Sequence, residues 1–262
     1  LTEHPEYQLF AIRFAHFAGR RRAENFIGGD AHDGPMPFDY FVFVVRGPEG
    51  DVVVDTGFDA TVAARRGRDH LRCPGDGLRL IGVDPAKVGT VVLTHLHYDH
   101  AGNHHLFPQA KFHLQESEMA YATGRCMCHS FLRQGYDPDD IGAALHKLFA
   151  GRLTYHDGSA TLAPGLELHR IGGHTNGQQV VRAWTRKGWM VLASDAVHFG
   201  ENFRENRPFP GIYHVGAALD GFVTLRRLAD AEHLVIPGHD PAIMRDFPSA
   251  GPGLEGIAVR LD

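Results

Sequence analysis

Short apolar runs recur along the whole chain: YFVFVV at residues 40–45, DVVVD at 51–55, TVVLT at 90–94, AKFHL at 110–114, LELHRI at 166–171, QVVRAW at 179–184, WMVLAS at 189–194 and HLVIP at 233–237. They are rich in Val, Ile, Phe and Trp, which suit a pleated buried surface. Gly, Pro or Asp bounds many of them, so each run predicts a β-strand. Gly47-Pro48-Glu49-Gly50 predicts a hairpin between the first two, and Lys187-Gly188 another between the runs at 179–184 and 189–194. Two stretches switch to the helical period. In residues 139–151, Ile141, Leu145, Leu148 and Phe149 fall at i, i+4, i+7 and i+8, with Gly151 as C-cap. In residues 214–231, Val215, Leu219, Phe222 and Leu225 share a face. Both stripes are expected to pack into the core. Strands and helices mix throughout, with hairpins early and late and no internal repeat, which predicts an α/β body built on two sheets.

Composition adds little until the histidines are counted. The chain of 262 residues, 43% hydrophobic, is long enough for a sizeable core. No apolar run approaches the ~20 residues of a membrane span. The formal net charge is −5 and the one basic run, Arg20-Arg21-Arg22, is short and expected to be a solvated face. Nucleic acid is therefore not an expected partner, since phosphate binding needs a broad basic footprint. Three cysteines without framework spacing suit a reducing, cytoplasmic setting, although a start at Leu1 leaves a removed leader open. Cys126-Met127-Cys128-His129 lacks a second pair at zinc-finger spacing and reads as ordinary thiols in a helical loop. The anomaly is 19 histidines.

Four candidate ligands crowd into THLHYDH, residues 94–100, directly after an apolar run. If 91–95 is a strand, His95 and His97 point the same way, as does Asp99 where the backbone stays extended. Ala101-Gly102 then allows a sharp turn that aims His100 at a neighbouring point. The stretch offers two ligands to one cation and two to a second. Buried neutral imidazoles need partners and a buried carboxylate needs a cation, so a metal site is expected here. Further ligand types stand one to three residues beyond other runs: His174 in LHRIGGHTNG, Asp195 in WMVLASDAVH and His239 in HLVIPGHD. Singly, a histidine after glycine is ordinarily a turn residue. The repetition of strand followed by ligand points to one shared dinuclear centre.

These residues resemble the metallo-β-lactamase superfamily, through H-x-H-x-D-H at 95–100 and then His174, Asp195 and His239 in order. VVVDTGF at 52–58 is similar to that superfamily's strand-then-Asp-Thr-Gly signature. The resemblance implies an αββα four-layer sandwich forming a single domain over residues 1–262. It implies an N-terminal segment at 1–38 and a helical insertion at about 115–160. It implies that His95, His97 and His174 hold one metal, that Asp99, His100 and His239 hold the other, and that Asp195 bridges them. Asp55 would orient a ligating histidine from behind. Two divalent ions are implied, with Zn2+ first and Mn, Co or Fe also suited to these nitrogen and oxygen ligands.

Within the superfamily, a histidine at 100 and an aspartate at 195 disfavour lactam hydrolysis. The short stretch after His239 leaves no room for the helical domain of glyoxalase II enzymes. The chain looks most like N-acyl-homoserine lactonases, whose HLHxDHAG it nearly repeats. That likeness implies a small lactone or ester substrate and leaves monomer and homodimer both open. Thioester or other ester hydrolysis is the alternative, then persulfide dioxygenase chemistry on a single iron. The catalytic set would be Asp99 and Asp195, either able to shuttle a proton, and His198, an oxyanion donor where those lactonases carry tyrosine. Phe38, Phe41, Phe199, Phe203, Phe209, Ile212 and Tyr213 form an aromatic-rich set whose members are expected to be mostly core.

Overall fold

The structure is a computed structural model describing residues 4–262; residues 1–3 of the expected N-terminal segment lie outside it. Its strands are β1 (Gln8–Phe17), β2 (Phe38–Gly47), β3 (Gly50–Val54), β4 (Asp69–His70), β5 (Thr90–Val92), β6 (Lys111–Gln115) and β7 (Leu153–His156), then β8 (Ser159–Ala163), β9 (Leu166–Arg170), β10 (Gln179–Thr185), β11 (Gly188–Ser194), β12 (Val235–Pro237) and β13 (Ala258–Arg260). One sheet runs β13-β1-β2-β3-β5-β6-β7, with β4 added to β1; the other runs β12-β11-β10-β9-β8. The expected hairpins are present, closing at Gly47 opposite Gly50 and at Thr185 opposite Gly188. From β3 to β7 the pairing is parallel, as it is between β11 and β12.

The helices are α1 (Ala60–Arg66), α2 (Pro74–Leu80), α3 (Tyr98–Ala101), α4 (Glu116–Ala122), α5 (Ser130–Arg133), α6 (Pro138–Phe149), α7 (Gly200–Arg204), α8 (Val215–Leu228) and α9 (Ala242–Asp246). Strand alternation assigns the two faces of the first sheet. Phe41, Phe43 and Val45 of β2 join Leu9, Ala11 and Val54 against Leu168, Val181 and Leu192 of the second sheet. Tyr40, Val42 and Val44 face the other way, with Ile12 and Val91, toward Ala63, Leu78, Met119 and Ala144 of the helices. A strand covered on both faces has no reason to alternate polar residues, which is why residues 40–45 of β2 form an unbroken apolar run. Phe222 and Leu225 of α8 belong to the core cluster of the second sheet, which completes four layers. Among the described residues no helix is long and apolar enough to cross a membrane.

Three expectations are corrected. The segment at 1–38 holds a long strand of the first sheet, because β1 pairs with both β2 and β13. The insertion at about 115–160 carries helices as expected, but it also supplies β7 at the sheet edge. The two apolar stripes pack only in part. In α6 the packed seam is buried Ala144 flanked by half-buried Ile141 and Leu148, leaving Leu145 and Phe149 outside. In α8 it is Ala218, Gly221, Phe222 and Leu225, leaving Val215 and Leu219 exposed. In both helices small residues let the axis approach the sheet, and the seam centres on them rather than on the largest side chains.

Candidate metal centre

The parallel pairings bring chain ends together at one edge between the sheets. Strand pairing stops at Val92, and Gln179 of the second sheet takes over: its backbone N–H donates to the Thr94 carbonyl at 2.9 Å and its side chain to the Leu93 carbonyl at 2.8 Å. Thr94 Oγ1 meets Ser194 Oγ at 2.8 Å, joining the two sheets again beside His95 and Asp195. The chain does not stay extended as far as Asp99. His97 caps the single turn of α3, and the His100 and Ala101 N–H groups donate back to its carbonyl. That turn swings Asp99 and His100 away from the axis of His95 and His97. The Thr56 N–H donates to the His100 carbonyl at 2.8 Å and its hydroxyl to the His100 and Gly102 carbonyls, so the Asp-Thr-Gly turn clasps α3.

His174 is reached through Gly172 and Gly173, both at positive φ. A Cβ on Gly173 would lie 2.6 Å from Ala218 Cα, so the small residues of α8 permit the turn that delivers His174. Asp195 and His239 follow β11 and β12 directly, and the His239 N–H donates to the His198 carbonyl at 3.1 Å.

All seven expected ligands converge. Ligand atoms of His95, His97, His174 and Asp195 form one group within 4.8 Å of one another, and those of Asp99, His100 and His239 form another. The Asp195 carboxylate divides between them. Its Oδ2 lies 3.3 Å from His174 Nε2 and 4.0 Å from His95 Nε2. Its Oδ1 lies 2.9 Å from His239 Nε2 and 3.1 Å from His100 Nε2. Asp99 Oδ2 is 3.8 Å from each of those two nitrogens. Yet His95 Nε2, His100 Nε2, His239 Nε2 and Asp195 Oδ1 are buried without a hydrogen-bond partner. Each such atom costs about 1–3 kcal/mol when unsatisfied, and several aimed at one small volume fit a pair of divalent cations.

The outer hydrogen bonds fix ring orientation. His100 Nδ1 lies 2.8 Å from Asp55 Oδ2, the role expected of Asp55, and His239 Nδ1 donates to the Asp39 carbonyl at 2.9 Å. Both leave Nε2 free for the centre. Burial holds His95 and His97 well below the usual imidazole range, the neutral form a ligand needs, and takes His174 down to about 4. Burial also disfavours charge on His100, but Asp195, Asp99 and Asp55 outweigh it and hold that ring well above its ordinary value. For Asp195 burial is likewise outweighed, here by His239, His100 and His198, so the carboxyl lies well below its ordinary range.

His198 Nε2 is 2.9 Å from Asp195 Oδ2, and its ring stacks on Phe209 at 3.3 Å between centroids. Of the aromatic set, Phe38 stacks on His239 at 4.1 Å and lines the cleft together with Tyr213, whereas Phe41, Phe199 and Phe203 are buried. Sequence reasoning missed Glu118. Its Oε1 accepts from the Leu96 N–H at 3.0 Å and the Tyr136 hydroxyl at 2.9 Å; its Oε2 accepts from the Thr175 hydroxyl at 2.6 Å and the Gly177 N–H at 3.0 Å. It ties together the loops that carry His95, His97 and His174. An acid in the first turn of a helix reads as an ordinary dipole partner, so no local signal marks it.

Comparison with known proteins agrees with this geometry. The sequence profile of the metallo-beta-lactamase superfamily matches residues 36–239. The chain belongs to the metallo-beta-lactamase superfamily. Among curated members of the superfamily, the N-acyl homoserine lactonase AiiB of Agrobacterium fabrum is 31% identical over 76% of this chain and 78% of its own length. The N-acyl homoserine lactonase AttM of Azorhizobium caulinodans is 29% identical over 85% of this chain and 88% of its own. The fold matches a quorum-quenching N-acyl homoserine lactone lactonase with a TM-score of 0.77 at 20% identity, covering 95% of this chain and 98% of that one. It also matches the dizinc quorum-quenching lactonase AidC with a TM-score of 0.70 at 17% identity, covering 92% and 91%.

Proposed function

We propose that this protein is a dinuclear metal-dependent hydrolase that opens a lactone, an N-acyl-homoserine lactone or a related ring. The observation that carries the reading is the Asp195 carboxylate, with one oxygen toward each of two clusters of unpartnered buried ligand atoms. The likeness to lactonases over most of the chain supports the substrate class. His95, His97 and His174 would hold one cation and Asp99, His100 and His239 the other, with Asp195 shared. Five imidazoles and two carboxylates suit Zn2+ first. Bound there, two divalent cations supply Lewis acidity, lowering the pKa of water toward neutrality and drawing charge from an acyl oxygen.

The chain's own residues supply the rest. Asp55 and the Asp39 carbonyl keep His100 and His239 in the tautomer that presents Nε2. Asp99 lines the cleft, where it would take up the proton released by the attacking water and pass it to the leaving alkoxide as the ring opens. Asp195 is the alternative carrier for that proton. His198 stands beside Asp195 and also lines the cleft; its one ring N–H, which faces Asp195 Oδ2 at 2.9 Å, would be shared with the oxygen that gains charge. Phe38 and Tyr40 exclude water on the side of His239.

Asp195→Ala tests this reading. It should lose both metals and lactone opening together, measured by metal analysis of protein purified without chelator and by proton release during hydrolysis. Two metals retained per chain would refute the bridging role. Turnover of thioesters but of no lactone would move the substrate class.

A further inference from the structure

The cleft above the metal centre, about 690 Å3, is lined by Arg20, Arg66 and Arg68. Arg20 opens the basic run expected to be a solvated face; instead it is half-buried, its guanidinium 4.3 Å from the Phe38 ring centroid. Arg66 lies over the Tyr98 ring at 3.7 Å, and Arg68 lies over Phe17 at 4.1 Å with its Nε 3.4 Å from the Tyr98 hydroxyl. Tyr40 and Tyr98 meet at 3.5 Å between hydroxyls, so the arginines and tyrosines form one continuous wall on the Asp99 side of the centre. The part next to His97 is apolar, with the Tyr121 and Tyr213 rings tilted against each other at 4.6 Å between centroids and Phe131 exposed.

Structural contacts account for this wall only in part. Twelve other arginines pair with carboxylates, yet among the described residues none of these three lies within 4.0 Å of one. Arg20 spends its bonds on Asn25 and the Glu24 carbonyl. Arg66 donates to the Gln134 and Tyr136 carbonyls, and its Nε is buried without a partner. No acceptor among the described residues takes the Nη groups of Arg68. Besides Asp99 and Asp195 of the metal centre, Glu24 is the lining's one carboxylate, and it already accepts from the Arg21 N–H at 2.8 Å. Three half-buried guanidiniums without a carboxylate partner in one cleft favour the entry of an anion, and their planar donor forks match carboxylate and phosphate oxygens.

We propose that the substrate carries an anionic oxyacid group, a carboxylate or a phosphate, which Arg20, Arg66 and Arg68 receive while its lactone carbonyl lies at the metal centre. The proposal rests on the lactone-opening reading and narrows it, since simple N-acyl-homoserine lactones are neutral.

The test compares N-acyl-homoserine lactones whose acyl chains end in methyl, carboxylate (succinoyl, glutaroyl and adipoyl) or phosphate monoester, at matched lengths. One anionic series should exceed its neutral counterpart in kcat/KM by about tenfold or more, the order a charge-assisted hydrogen bond supplies. The carboxylate and phosphate arms distinguish the two sources. The advantage should shrink as ionic strength rises from about 0.02 M to about 0.3 M. Arg68→Gln, chosen because the Nη groups of Arg68 hold nothing in the fold, should lower the anionic-to-neutral ratio severalfold at unchanged metal content, and Arg68→Lys should restore part of it. The same acyl groups on α-amino-γ-butyrolactam give a binding readout by calorimetry that needs no turnover. Neutral chains preferred at every length would overturn the proposal. So would an anionic advantage that survives Arg68→Gln combined with Arg20→Gln, which would mean that the metals capture the anion. An arginine-dependent preference in binding with no lactone opened would leave the anion site standing and sink the lactone reading.

Discussion

At the scale of single residues, His198 is the side chain beside Asp195 whose proposed task is most open to test. Its imidazole is buried, flat against Phe209, and its Nε2 sits 2.9 Å from Asp195. Burial, the largest influence on this ring, pushes it well below the usual imidazole range despite Asp195, so it is a neutral donor rather than a cation. A neutral N–H can stabilise a developing oxyanion without competing for the cations. His198→Phe keeps a flat ring against Phe209 and removes the donor; it should lower kcat about 10²-fold while both metals stay bound. His198→Tyr restores a donor on a longer lever and should keep part of the turnover. Steady-state kinetics with metal analysis decides. Unchanged kcat in His198→Phe would make the ring mere packing.

At the scale of elements, α4 holds the ligand loops through Glu118. That carboxylate is fully buried, and burial raises its pKa even against four donors. Glu118→Gln keeps the shape but turns an NH2 toward two of those donors. The Tyr136 and Thr175 hydroxyls can rotate to accept; the Leu96 and Gly177 N–H groups cannot. One buried donor is then unsatisfied, at a cost of about 1–3 kcal/mol, and both ligand loops loosen. Urea unfolding should show that loss, and chelator competition should show metal affinity reduced about 10–100-fold. Affinity left intact would reduce Glu118 to a structural role. The contrast with the ligands shows what a sequence can reveal. His174, Asp195 and His239 each stand just past an apolar run, so the run announces them. Glu118 acts on residues distant in the chain, and nothing near it changes. The same non-locality hides β1. Arg13 and His16 interrupt its apolar pattern, but Asp39 of β2 accepts from both, at 3.3 and 2.6 Å. Likewise α6 and α8 showed their large apolar residues, while Ala144 and Gly221, which set the seam, carry no hydrophobic signal.

At the scale of the whole molecule, buried histidines outside the metal centre set how the fold meets acid. His104 is buried against Phe112, rings parallel at 5.1 Å, with neither ring nitrogen hydrogen-bonded through its side chain. Burial, aided by Lys147, lowers it to about 3; His113, half-buried, lies at about 4 through burial and then through His156 and Lys111. In the unfolded chain both titrate near the ordinary imidazole value of about 6.5. A depressed folded value means that the unfolded state takes up the proton first. The stability these groups contribute is therefore complete above pH 6.5 and is lost as pH falls toward each folded value. Each group steepens that loss by about 1.4 kcal/mol per pH unit. His104→Phe fills the same slot against Phe112 without a titrating nitrogen. The difference in unfolding free energy between pH 7 and pH 5 should be about 2 kcal/mol smaller in this variant than in the parent. Both are compared free of metal, so that protonation of the ligands contributes equally to each and cancels. Urea titrations at the two pH values measure the difference. Parallel losses in parent and variant would show that His104 is already relieved of its burial, by water or by motion, before the fold gives way.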